Sequence, residues 1–157
     1  MKRFTAFLRW VMVIILAGCS DGNTTSMTGK QPPAAFVHIG DKKYETKLGS
    51  YCWKSNSSAV CADTAGPVDL VSGEEPIQVK PGEEISVELN FSRKPNEVHI
   101  SQFKDNQETK VKMNNNHFKA PLEEGTYIYG YSVWWMSEKE KDVSDGDAQY
   151  AFALEVK

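Results

Sequence analysis

The sequence predicts an all-β domain, read as an Ig-like β-sandwich with a small closed β-barrel as the alternative. Two observations carry this. Apolar residues recur at every second position, as where Ile85, Val87, Leu89 and Phe91 alternate with Glu84, Ser86, Glu88 and Asn90, the mark of a half-buried strand. Turn-forming clusters punctuate the chain at short intervals, and no long stretch carries the 3.6-residue period of an amphipathic helix.

Three segments precede or make up the mature protein. Residues 1–18 place Lys2, Arg3 and Arg9 before a short apolar run, Trp10 to Leu16. A basic head, an apolar middle and small residues at the end form a secretory signal, and the run is far short of the roughly 20 residues that span a bilayer. Leu16-Ala17-Gly18-Cys19 resembles the lipobox of bacterial lipoproteins. That resemblance implies cleavage before Cys19 and attachment of a diacylglycerol to its thiol, leaving the protein on the extracytoplasmic face of the cell membrane. Residues 19–33 continue as Ser20 to Pro33, polar, rich in Gly, Ser and Thr and free of aromatics, which predicts a flexible tether. Residues 34–157 are then the folded unit, a length that suits one domain.

Composition excludes some partners. Cleavage after residue 18 removes three of the 18 basic residues and no acidic one, so 15 Lys and Arg face 21 Asp and Glu, a formal charge of −6. Without a basic patch, nucleic acid is not expected as a partner, and adhesion to anionic lipid is left to the acyl anchor.

Taken in order, Phe36–Ile39 and Tyr44–Leu48 flank Gly40-Asp41 as a hairpin, and Ser50–Lys54 is a further strand. Asn56, Ser57 and Ser58 read as a turn within the loop between Cys52 and Cys61. Pro67–Val71 suits one helical turn. Ile77–Val79 comes next, then the turn Lys80-Pro81-Gly82-Glu83, in which proline presets φ and glycine accepts a positive one. Beyond the alternating strand at Ile85–Phe91 come Glu97–Phe103, Thr109–Met113 and His117–Ala120, the last two joined by an asparagine turn at 114–116. Gly125–Met136 is the longest strand expected, and the chain closes on Gln149–Val156, with Tyr150, Phe152, Leu154 and Val156 on one side.

Three cysteines are present, and Cys19 is assigned to the anchor. Cys52 and Cys61 form an even pair in an exported chain, which favours a disulfide, worth about 2.7 kcal/mol on chain entropy. A metal site is the rival reading, but His38, His99 and His117 are scattered singly and no Cys-x-x-Cys occurs, so no metal or other cofactor is expected.

The candidate binding residues are aromatic. Along Gly125–Met136, Tyr127, Tyr129, Tyr131, Val133 and Trp135 share one side and are expected in the core. Trp134 falls on the other side and is the candidate exposed contact, with Trp53 as a second. An aromatic platform for a glycan or a peptide is one reading of this strand; ordinary packing, with Trp134 covered by a neighbouring loop, is the favoured one. The pairs Glu74-Glu75, Glu83-Glu84 and Glu123-Glu124 adjoin turns and read as solvated decoration. Asp142–Asp147 reads as a polar hairpin loop, lacking the closing glutamate and helices of a calcium loop. No nucleophile elbow or phosphate loop is present, so catalytic residues are not assigned and an enzyme is not expected.

Gly49-Ser50-Tyr51-Cys52-Trp53 with Cys61-Ala62-Asp63 and Pro67-Val68-Asp69-Leu70, followed by Pro81-Gly82-Glu83, Gly125-Thr126-Tyr127-Ile128-Tyr129 and Tyr150-Ala151-Phe152, resembles a group of small surface lipoproteins of Bacillus and related Gram-positive bacteria. The resemblance implies a lipid-anchored surface protein and pairing of Cys52 with Cys61, and brings no catalytic residues. The expected function is a non-enzymatic binding module at the membrane surface with a cell-wall or protein partner. An accessory subunit of an export, sensing or spore system and an envelope hydrolase are the alternatives.

Overall fold

In a computed structural model the protein is described over residues 27–55 and 58–157. The expected signal segment, residues 1–18, and Cys19 lie outside the described residues, as do Asn56 and Ser57 of the expected turn. Among the described residues, eleven strands form two packed antiparallel sheets that do not close into a barrel. In chain order they are β1 (Ala35–Ile39), β2 (Lys42–Glu45), β3 (Lys47–Ser55), β4 (Ser58–Ala62), β5 (Ile77–Val79), β6 (Glu84–Leu89), β7 (Glu97–Lys104), β8 (Gln107–Lys110), β9 (His117–Lys119), β10 (Gly125–Met136) and β11 (Ser144–Val156). A single helical turn, α1 (Pro67–Leu70), lies where proline at its start predicts one. Among the described residues no helix is long and apolar enough to cross a membrane.

One sheet runs β2-β1-β6-β9; the other runs β4-β3-β11-β10-β7-β8, with β5 added parallel to β11. The sets β6-β9 and β7-β10-β11 reproduce the division of strands B-E and C-F-G in an Ig-like Greek key. Hairpins β1–β2 and β3–β4 extend this frame, one on each sheet. Tyr127, near the start of β10, donates its hydroxyl to the Glu123 carbonyl at 2.9 Å, which is the tyrosine corner of such sandwiches.

Local chemistry explains the turns. Gly82 takes φ 70° after Pro81, and the Glu83 N–H closes the turn on the Lys80 carbonyl at 3.1 Å. Asn115 and Asn116 adopt φ 49° and 65° between the reciprocal backbone bonds of Asn114 and His117, a left-handed pair that asparagine tolerates. Asp105 and Asn106 do the same between β7 and β8.

Alternation sets the core. Tyr127, Tyr129, Tyr131, Val133 and Trp135 of β10 are all buried, as are Tyr150, Phe152, Leu154 and Val156 of β11, against Val37, Ile85, Val87 and Leu89 of the facing sheet. Tyr129 and Phe152 stack at 5.1 Å, while Trp53, Phe91 and Trp135 meet edge to face at 5.1–5.9 Å at the other end. The Tyr129 hydroxyl donates to the Gln102 side-chain oxygen at 2.8 Å.

Several boundaries differ from expectation, each for a local reason. Tyr44–Leu48 is not one strand. The chain changes sheets at Thr46, a buried residue whose N–H and hydroxyl both donate to the Ala35 carbonyl, at 3.0 and 2.9 Å. Ser58 belongs to β4 rather than to a loop, because the chain folds straight back along β3. The strand expected at 109–113 starts at Gln107 and ends at Lys110. The last strand starts at Ser144, so four of the six residues of the expected polar loop, 144–147, belong to β11, which pairs with β10.

Residues 27–33, expected as part of the flexible tether, are docked on the domain. Met27 is only 4% exposed and belongs to the core. Thr28 accepts the Trp53 indole N–H at 3.2 Å, and Pro33 accepts the Tyr150 hydroxyl at 2.6 Å. Residues 27–33 are thus strapped to the end of the sandwich by side chains from β3 and β11.

Candidate functional site

The pleat of β10 that buries its odd-numbered residues turns Ile128, Gly130, Ser132 and Trp134 to the outer face of the larger sheet. That face is divided. Over Gly130 the chain around α1 lies so close that an added Cβ would stand 2.9 Å from Pro67 Cγ, so this half is covered. The other half, around Trp134, has no such cover from α1. Register then fixes its neighbours. Trp134 sits between Glu97 on β7 and Asp147 on β11, and Asp147 is followed across the sheet by Cys52 and Cys61. One row away, Ser132 sits between His99 and Gln149.

Side-chain geometry ties these residues together. The His99 ring meets the Trp134 indole edge to face at 5.4 Å, and its Nε2 lies 2.9 Å from Glu97 Oε1. Asp147 Oδ1 accepts the Cys52 N–H at 3.3 Å. Partial burial pushes the Asp147 carboxyl above the ordinary carboxylate range, and the Cys52 N–H pulls it partway back. The Cys52–Cys61 disulfide is formed, with Cα atoms 4.1 Å apart and both residues exposed on this same face.

Of the two tryptophans expected as contacts, Trp134 is only partly exposed on the outer face. Trp53 is not a contact: it is 2% exposed, because Tyr51 and Trp53 occupy the inward side of β3. Its cross-strand neighbour is Gly146, where an added Cβ would stand 2.8 Å from both Trp53 Cε3 and Met27 Cε. Only hydrogen fits there. Glu97, His99, Asp147 and Gln149 complete the face and were not singled out for it by sequence reasoning. They stand at alternate positions of β7 and β11, so the signal appears once the register with β10 is known.

The remaining polar candidates separate into local pairs. Asp145 binds Arg93 at 2.9 Å, and Asp147 faces Cys52, so the acidic run 142–147 does not converge on a common point. Glu74 pairs with Lys47, Glu84 with His117 and Glu123 with Lys104, at 2.9, 3.2 and 3.0 Å. Glu83 caps its own turn by accepting the Lys80 N–H at 2.8 Å. On the smaller sheet His38 and His117 line a hollow of about 360 Å³ above Ser86. His38 is held there by Glu88 at 2.6 Å, and that carboxyl is lowered by its bonds from Lys43 and His38. Among the described residues, no three His, Cys, Asp or Glu side chains stand close enough together to hold a metal ion.

Chemically, the Trp134 face offers an apolar π-surface rimmed by two carboxylates, an imidazole, an amide and a hydroxyl. Such a rim matches alternating C–H faces and polar groups, as on a sugar ring or a peptide. Compared with models of protein families, with curated proteins and with solved structures, the chain matches none.

Proposed function

We propose that this protein is a lipid-anchored, extracytoplasmic binding module that holds a glycan or peptide of the cell envelope on its Trp134 face and does not transform it. The observation that carries the reading is the partly exposed Trp134 framed by Glu97, His99, Asp147 and Gln149 on one sheet face. Strand positions keep these groups aligned without a ligand, so little ordering is needed on binding. Anchoring rests on the signal-like residues 1–18 and on Cys19. Two acyl chains give a stable hold where one gives a reversible one.

The absence of catalysis from this reading follows from how the carboxylates are used. Acid–base hydrolysis needs two carboxyl groups in contrasting environments across a cleft. Here Glu97 is engaged by His99 and Asp147 by a backbone N–H, side by side with Trp134 between them on an open face. An aromatic residue rimmed by polar groups also suits a protein surface, which makes an accessory subunit of an envelope assembly the second reading.

Binding is tested by co-sedimentation with isolated peptidoglycan and teichoic acid. The wild-type chain is expected to pellet with one of them and Trp134→Ala to remain in the supernatant. No retention of the wild type on any envelope polymer, with crosslinking on intact cells instead capturing a protein at this face, moves the reading to the accessory subunit. Anchoring is tested separately. Globomycin, or Cys19→Ala, should leave an unprocessed or unlipidated chain, and unchanged membrane partition would remove the anchor from the proposal.

A further inference from the structure

A sheet edge is a row of unpaired backbone groups, and proteins that remain monomeric guard it with lysine, proline or short strands. Most edges here are guarded in that way. β2 carries Lys42, Lys43 and Glu45; β8 carries Glu108 and Lys110; β9 carries His117 and Lys119; β5 lies between Pro76 and Pro81. β4 is the exception. Its sequence, Ser58-Ala59-Val60-Cys61-Ala62, holds no charge and no proline, and every residue but the last is exposed.

The register says which groups are free. Cys52 and Cys61 oppose each other with Cα atoms 4.1 Å apart, the spacing of a non-hydrogen-bonded pair. Alternation then directs the N–H and C=O of Val60 toward β3 and those of Ala59 and Cys61 outward. Among the described residues, no backbone bond from another element reaches that outer edge. Val60 shares the inward side with its neighbour Trp53, yet is 43% exposed.

We propose that the β4 edge pairs antiparallel with the β4 of a second copy of this chain, Val60 facing its own counterpart across a two-fold axis. In that register Ala59 of each copy opposes Cys61 of the other, and each such pair exchanges both backbone hydrogen bonds, so all the outward groups are satisfied. The two valines meet in a close non-hydrogen-bonded pair and cover each other's exposed side. A second copy is the fitting occupant because an uncharged strand meets itself without like-charge contact. Self-pairing of β2 or β8 would instead set lysines and glutamates of one copy against those of the other.

Sedimentation equilibrium of the full chain in detergent micelles tests this, with amide exchange at Ala59 and Cys61 as the local readout. The wild type should show a reversible monomer–dimer equilibrium, with both amides slowed as dimer accumulates. Val60→Lys should raise the dissociation constant by about tenfold or more, whereas Thr109→Lys on the β8 edge should leave it unchanged. Should Val60→Lys fail to fold, Val60→Cys decides: a dimer on a non-reducing gel that reductant dissolves is expected, since facing positions of this pair lie within disulfide reach. A wild type that stays monomeric up to hundreds of micromolar, a dimer indifferent to Val60→Lys, a folded Val60→Cys that forms no covalent dimer, or β4 amides slowed only by a different protein would overturn the proposal.

Discussion

Trp53 and Trp134 lie on strands that flank β11, and their cross-strand neighbours there are the consecutive residues Gly146 and Asp147. One step along β11 therefore separates them, and it decides everything about their surroundings. Trp53 falls on the inward side, against Trp135, Phe91 and Met27, with its indole N–H satisfied by Thr28. Trp134 falls on the outward side among carboxylates and an imidazole. The two tryptophans thus have opposite surroundings. What separates them is pleat parity, together with which side of the sheet the facing layer covers.

That contrast is open to direct attack. Trp53→Ala should have the largest effect, lowering stability in urea melts by about 3–5 kcal/mol through loss of a large buried ring. A loss under about 1 kcal/mol would mean that the Trp53 end of the core is not packed as described. Met27→Ala should follow, at about 2 kcal/mol or more, with no change in ligand retention, because Met27 belongs to the buried core beside the inward tryptophan. A ring of buried phenols supplies a third probe of the inward side. Burial pushes Tyr131 up to about 12, and it raises Tyr129 and Tyr150 as well. The unfolded chain releases these protons near pH 10, so stability is intact below about pH 10 and falls as pH rises toward 12. Phenolate absorbance should show these three tyrosines titrating only together with unfolding; their titration in the folded protein near pH 10 would contradict their burial. The smallest effect on stability is expected from Trp134→Ala, within about 1 kcal/mol, alongside complete loss of envelope binding. A large destabilisation there would make Trp134 a structural residue and erase the distinction.

Much of the frame was legible in the residues themselves. β10 spans the predicted Gly125–Met136, since one covered face forces a strict alternation that the sequence displays. The Lys80–Glu83 and Asn114–Asn116 turns were legible because only glycine and asparagine accept those backbone angles easily. β4 was not, since a short exposed edge strand of small residues has no alternation to display. Met27 is a single apolar residue in a polar run and carries no period, so its burial depends wholly on the pocket that Gly146 leaves open. The tyrosine corner was within reach, because Gly125-Thr126-Tyr127 marks it. The candidate site was half legible: parity put Trp134 outside, but its partners come from β7 and β11, every one of them more than ten residues away along the chain, and their registers are tertiary facts.

The docking of Met27 on Trp53 also sets a leash. Only residues 20–26 separate it from Cys19, and eight peptide steps at about 3.5 Å each extend to about 28 Å at most. Under the proposed acylation, the body rides against the headgroups and sweeps a thin shell just outside the bilayer. It would meet nascent polymer or membrane-bound proteins there, and material in the outer wall would lie beyond its radius.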